Sequence, residues 1–264
     1  MRVYYYFDPE RRDKDAIKGN FDVLEDILTN RRIRISSISG LNDPLDIQMG
    51  FPPEEDKNYV VNFRKEFKAI DKVLGIISFS ECVDNVLMWS HYARKHTGFA
   101  LELELDDKQL TRVNYSSVAP IVFKDAKIDN NPYYSNAAYD ILRTKSIDWA
   151  YEKEWRMILL YSDDNLITEG KERYFPLNAS NIKSIFIGLK CNMTTDDMLR
   201  HLHSWQLNDV KVYKMGQSQD GYKLSYDLAV YESERRHRVE RIKAVILEAL
   251  KDNDIQRIKN LLVQ

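Results

Sequence analysis

Cysteine, glycine and proline are scarce in this chain: 264 residues carry 2 cysteines, 9 glycines and 7 prolines. Cys82 and Cys191 stand far apart and fit neither a zinc-ligand spacing nor a disulfide framework. They read as two reduced thiols, so the expected compartment is the cytoplasm. So little glycine and proline excludes a linker-rich or low-complexity chain. No apolar run approaches the roughly 20 residues that a membrane span needs, and no charged-then-apolar leader is read ahead of the first strand, so no membrane partner is expected. Charge of one sign is also missing. The formal net charge is −2 with a pI of about 6.2, which leaves no global basic field for nucleic acid. Phosphate-binding and metalloprotease motifs (Walker A, G-x-G-x-x-G, H-E-x-x-H) are absent.

What is present suits a folded domain. Hydrophobic residues at 44% beside 30% charged residues can bury a core without leaving the chain disordered. Period-two alternation over 32–35 and 98–105, and short apolar or aromatic runs elsewhere, predict strands over 2–7 (or an extended arm there), 32–35, 73–79, 98–105, 120–123, 155–161, 182–189, 210–215 and 222–228. Helical spacing predicts helices over 21–28, 58–70, 85–94 and 136–146, and another from a Thr194 or Thr195 N-cap to His203. Short strands without regular βα alternation imply an α+β fold, with a mixed, largely antiparallel sheet flanked by helices. Residues 1–230 read as this core domain. Residues 231–264 read as a C-terminal helical appendage, a hairpin packed on the core or a homodimer contact, with packing preferred.

Four segments concentrate chemistry. Met88-Trp89-Ser90-His91-Tyr92 is dense in polar and aromatic groups. His91 can act there as acid, base or hydrogen-bond anchor, or simply bridge a helix to a loop. His91 and His96 are five apart and miss a common helical face, so no metal site is expected. In Tyr151-Glu152-Lys153-Glu154-Trp155-Arg156, an extended backbone points both glutamates to one face. Two carboxyls in one site push one pKa up and suit acid–base or cation-stabilising work. The plainer reading is a solvated strand edge with Glu154 paired to Arg156. Trp149, Tyr151 and Trp155 add aromatic walls of the kind that hold flat groups, or that fill cores. Ser78-Phe79-Ser80 places two hydroxyls on one strand face, though no G-x-S-x-G elbow accompanies them. Asn42-Asp43-Pro44 with Asp46 reads as a turn that holds backbone groups.

In this order, Asn42-Asp43-Pro44, Ser78-Phe79-Ser80, Met88-Trp89-Ser90-His91-Tyr92 with Gly98-Phe99, and Trp149-x-Tyr151-Glu152-x-Glu154-Trp155-Arg156 resemble a bacterial family catalogued as domain of unknown function 2971. The resemblance spans about residues 3–228. One departure is Tyr4-Tyr5-Tyr6, where members often carry a Tyr-Lys-Tyr-like strand. A second resemblance is to arginine-type ADP-ribosyltransferases, which order a strand arginine, Ser-x-Ser and Glu-x-Glu. Here these are Arg32 or Arg34, Ser78-x-Ser80 and Glu152-x-Glu154. That likeness implies NAD as substrate, a protein or nucleic-acid acceptor, and a setting in bacterial defence or a toxin system. It implies that Arg34 forks onto the nucleotide, Ser78 and Ser80 brace the nicotinamide pocket, and Glu154 stabilises oxocarbenium character as nicotinamide leaves. Trp89 or Tyr92 would stack on the ring, with His91, Glu152, Tyr151, Arg156 and Asn42 completing the site. Two other readings stand beside it. One is a metal-dependent nuclease or phosphoesterase using Asp43, Asp46, Lys145, Glu152 and Glu154. The other is a non-enzymatic module that binds a nucleotide or a partner.

Overall fold

The computed structural model describes residues 1–9, 22–124, 136–219 and 221–229, with the single position 246. In chain order the described strands are β1 (Arg2–Phe7), β2 (Arg32–Arg34), β3 (Leu74–Ser80), β4 (Phe99–Glu104), β5 (Thr111–Arg112), β6 (Asn114–Ser116), β7 (Thr144–Ser146), β8 (Glu154–Leu160), β9 (Ile167–Glu169), β10 (Glu172–Pro176), β11 (Ile182–Ile187), β12 (Lys211–Gln217) and β13 (Leu224–Leu228). The helices are α1 (Asp22–Thr29), α2 (Lys57–Ala69), α3 (Val86–His91), α4 (Asn136–Leu142) and α5 (Thr195–Ser204). Eight strands form one sheet in the order β13-β12-β11-β4-β1-β3-β8-β5. Every pair in it is antiparallel except β11 with β12, so the fold is α+β with a mixed, largely antiparallel sheet.

The period-two pattern divides this sheet into two faces with different contents. Val3, Phe7, Ile77, Phe79, Leu101, Leu103, Met157, Ile185 and Ile187 point to one face. There they bury against Leu24, Ile27 and Leu28 of α1 and Met198 and Leu202 of α5. The Thr194 side chain caps α5 by accepting from the Asp197 amide at 3.0 Å, as its sequence position implies. The other face holds two apolar clusters. Leu74, Ile76 and Ile158 pack with Phe63 and Phe67 of α2 and Ile141 of α4. Tyr6, Ala100 and Phe186 pack with Met88 and Trp89 of α3. Between these clusters, on the same face, β3 and β8 carry Ser80, Glu154 and Arg156.

Several expectations change in the folded chain. Residues 120–123 form no strand, only a single bridge between Gly50 and Ile121, since Pro120 lacks the N–H that a ladder needs. The helix expected over 136–146 stops at Leu142, and Thr144–Ser146 instead pairs in parallel with β6. The helix expected over 85–94 stops at His91, and Arg94, Lys95 and His96 all take positive φ. The C-terminal hairpin, and any homodimer contact through it, lie outside the described residues, as does Phe21 of the first predicted helix. No described helix is long and apolar enough to cross a membrane.

Candidate functional site

The site grows from three short structures that meet over β8. A 3-10 turn, Ile147–Glu152, starts at the Ser146 side chain, which accepts from the Asp148 amide. It ends at Lys153, whose φ of 46° is left-handed. That single residue swings the chain from helix to strand. Glu152 and Glu154 therefore converge across a corner, where an extended pleat was expected, and both end up buried. β7, too short to stand alone, is held by its pairing with β6 and directs Lys145 inward, 7% exposed. A tight turn joins Asp43 to Asp46 through the Asp46 amide and Asp43 carbonyl at 3.1 Å, with Pro44 at its second position. This turn brings Asp46 over the same point.

The result is a buried network of five charged groups. Lys145 Nζ lies 2.5 Å from Glu152 Oε2, 3.2 Å from Glu154 Oε2 and 3.6 Å from Asp46 Oδ2. Arg156 forks onto Glu154, Nε to Oε1 at 2.8 Å and Nη2 to Oε2 at 3.1 Å. It also donates to Asp46 Oδ2 at 2.6 Å and to the Leu142 carbonyl at 2.8 Å. Three carboxylates thus face two cations, and one negative charge is in excess if all are ionised. An uncompensated charge away from water is costly, so the least compensated carboxyl keeps its proton. That group is Glu152. Burial pushes it up to about 7, against Lys145 and with Glu154 adding repulsion. Burial would also raise Glu154, but Arg156 and Lys145 outweigh it and hold Glu154 at about 2, with the Ser78 hydroxyl contributing. Lys145 is charged on the same logic: burial opposes its charge, while Glu154, Glu152 and Asp46 together raise its pKa. The two glutamates titrate as a pair pushed apart, one a fixed anion and the other switchable near neutrality.

Around this network lies a polar and aromatic rim. Tyr92, at the C-terminal end of α3, donates its hydroxyl to Glu152 Oε1 at 2.5 Å. The Asn85 side chain caps α3 and also donates to the Tyr151 carbonyl at 2.9 Å, tying the helix to the 3-10 turn. His91, Trp149 and Tyr151 group their rings with centroids 5.8 to 6.4 Å apart. His91 is exposed and the other two are half-buried. Lys145 Nζ sits 4.9 Å from the Trp149 ring centre, linking the rim to the charges.

Residues 88–157 match the family described as protein of unknown function (DUF2971). This bears out the DUF2971 resemblance over the Met88–Tyr92 and Trp149–Arg156 motifs, while Asn42–Pro44 and Ser78–Ser80 lie outside the matched residues. The DUF2971 segment contributes Tyr92, Lys145, Glu152, Glu154 and Arg156, and Asp43 and Asp46 come from outside it. No curated protein and no solved structure matches the chain.

The structure gathers some of the expected site residues and disperses others. Glu152, Glu154, Arg156, Tyr92, Tyr151 and His91 come together. Ser80 joins them from beneath, its hydroxyl donating to the Glu152 carbonyl at 2.6 Å, while Ser78 is exposed one step along the same strand face. Trp89 cannot stack on a ligand. It is fully buried, its indole N–H bonded to the Val83 carbonyl at 2.6 Å and its ring edge-on to Tyr6. Arg34 is exposed and paired with Glu172, and its charge is felt by Tyr5, which packs against Phe79 on the opposite sheet face from Ser80. Asn42 is exposed beside the turn. Among the described residues, no three histidines, cysteines or acids group as a metal site would require. The sequence offers Lys145 only as a member of the metal-dependent set; its place among three carboxylates comes from the pairing of its strand with 114–116, some thirty residues away. A β-branched Thr144 inside a predicted helix was the available signal.

Proposed function

We propose that this protein is an enzyme whose titrating group is Glu152, and that it acts on the N-glycosidic bond of a nucleotide such as NAD. The observation that carries the reading is the Glu152 carboxyl, raised to about 7 and bonded by Tyr92, next to the exposed His91 and half-buried Trp149 and Tyr151 rings. A carboxyl with that pKa is poised for proton transfer at neutral pH. The flat nicotinamide ring would lie against His91, Trp149 and Tyr151. As the bond from ribose C1′ to the ring nitrogen breaks, its electron pair leaves with the nicotinamide, which departs neutral and needs no proton. The oxocarbenium ion is then captured by a water or acceptor hydroxyl. Its proton passes to the ionised Glu152, with Tyr92 in the path. Glu154 has a supporting role on this reading: tied to Arg156 and Lys145, it is the fixed charge that helps keep Glu152 switchable.

The test is incubation of the purified protein with NAD while free nicotinamide is measured, beside Glu152→Gln. Release that disappears in a folded Glu152→Gln protein is the expected outcome. Equal release from both proteins would remove Glu152 from the reaction. The metal-dependent alternative has less support, because Asp46, Glu152 and Glu154 already have lysine and arginine as partners.

A further inference from the structure

Among the described residues, a cavity of about 350 Å³ lies between α4, the β6–β7 ribbon and the extended segment 118–122. The ribbon separates it from the Glu152 network. Its register sets Asn114 opposite Thr144 and Tyr115 opposite Lys145. Lys145 faces the buried carboxylates, so by the strand period of two Asn114 and Thr144 face the other way, and both line the cavity. The segment 118–122 supplies apolar surface through Val118, Pro120 and Ile121, with Val118 64% and Ile121 46% exposed. Ser116 fixes this segment to the ribbon, since its hydroxyl accepts from the Val118 amide at 3.0 Å and donates to the Val118 carbonyl at 2.7 Å. The end of α4 supplies charge. Asp140 and Arg143 lie one turn apart as an ion pair, and both line the cavity. Both of their hydrogen bonds, from Arg143 Nε at 3.0 Å and Nη2 at 2.8 Å, fall on Asp140 Oδ1. Asp140 Oδ2 and Arg143 Nη1 therefore keep one open position each among the described residues. The guanidinium is held 5.2 Å from the Tyr139 ring centre. The cavity thus presents one negative and one positive group side by side, next to apolar surface.

We propose that this cavity is a binding site for the zwitterion of an α-amino acid with a large apolar side chain. The ligand's ammonium donates to Asp140 Oδ2, its carboxylate accepts from Arg143 Nη1, and its side chain lies along Val118 and Ile121. A ligand carrying only one of the two charges gains one partner and meets the like charge beside it as repulsion. Selection for the zwitterion arises from both effects. The site shares a wall with the Glu152 network but does not depend on the reaction proposed there.

The test compares L-phenylalanine with 3-phenylpropionate and 2-phenylethylamine, which keep the ring and lack one charge each. Binding of each to the full-length protein is measured by calorimetric titration at neutral pH. Wild type is expected to prefer phenylalanine to either analogue by roughly tenfold or more. Asp140→Asn should bring phenylalanine to within about twofold of 3-phenylpropionate, and Arg143→Gln should bring it to within about twofold of 2-phenylethylamine. The side chains of this ion pair are 48% and 41% exposed, so both variants should keep the wild-type thermal midpoint. Wild type that binds none of the three, or that binds a single-charge analogue as tightly as phenylalanine, would overturn the proposal. So would an unchanged preference in either folded variant. Should a variant fail to fold, the comparison of the three ligands on wild type still decides. NAD turnover is a separate readout: nicotinamide release without phenylalanine binding would retire this site alone, and phenylalanine binding without release would retire the glycosidic reaction alone.

Discussion

Replacing Glu152 by glutamine should make the protein more stable at neutral and alkaline pH, the opposite of what removing half of a salt bridge ordinarily does. Burial raises this carboxyl from its ordinary 4.5 to about 7. The sign follows from proton counting. Below about pH 4.5 the group is protonated in both folded and unfolded chains. Between about 4.5 and 7 the folded protein still holds the proton while the unfolded chain has lost it, so stability falls as pH rises. Above about 7 the loss is complete. A difference of about 2.5 in pKa corresponds to about 3 kcal/mol. Glutamine has the shape of the protonated acid, can accept from Lys145 with its oxygen and can donate to the Tyr92 oxygen. The value of about 7 already includes the carboxylate's attraction to Lys145, so the net gain is about 3 kcal/mol near pH 8 and almost none near pH 4.5. Glu154 loses its stabilising charge as pH falls from 4.5 toward about 2, but it does so in both proteins and cancels in the comparison. Urea unfolding followed by tryptophan fluorescence across this range measures the difference directly. A glutamine variant less stable than wild type at every pH, or a difference that does not change with pH, would refute the argument that Glu152 is the uncompensated charge. The predicted gain in stability with loss of turnover is what a group retained for chemistry would give.

Two further outcomes test the network. Tyr92→Phe removes a hydrogen bond that holds the Glu152 carboxyl down. Because the reactive form is the ionised one, the rising limb of the pH–rate profile for nicotinamide release should move to higher pH. A limb that stays in place would show that Tyr92 does not act on Glu152. Arg156→Ala leaves Glu154 and Asp46 buried with Lys145 as their remaining cation. It should cost ~3–5 kcal/mol and lower the thermal midpoint sharply. Arg156→Lys should recover little of that, since an ammonium cannot reproduce the fork onto Glu154 and Asp46. A near-wild-type midpoint for Arg156→Ala would contradict the view that this guanidinium balances the buried carboxylates.

The amino-acid sequence alone determined most of the sheet. Alternation at 98–105 and the short apolar or aromatic runs at 2–7, 73–79 and 182–189 are local properties, legible without knowing each strand's partners. Helix starts such as Thr194 are local for the same reason: the cap and the amide it serves are three residues apart. Glu152, Glu154, Arg156, Tyr92 and Tyr151 could be singled out because the motifs pack chemistry into a few consecutive residues. Only the tertiary structure decided how those groups are used. Trp89 and Arg34 have the side chains a nucleotide site wants, yet one is sealed in the core and the other faces Glu172. In sequence, Lys145 and Asp46 are candidates only for a metal-dependent set, and Asp46 for a turn. They become central because β7 pairs with a strand some thirty residues earlier, and because a proline turn reaches Arg156 across 110 positions. Which of two nearby glutamates is a fixed anion and which can take a proton depends on the count and distance of cations around each. That count is a sum over distant segments, and local sequence carries no record of it.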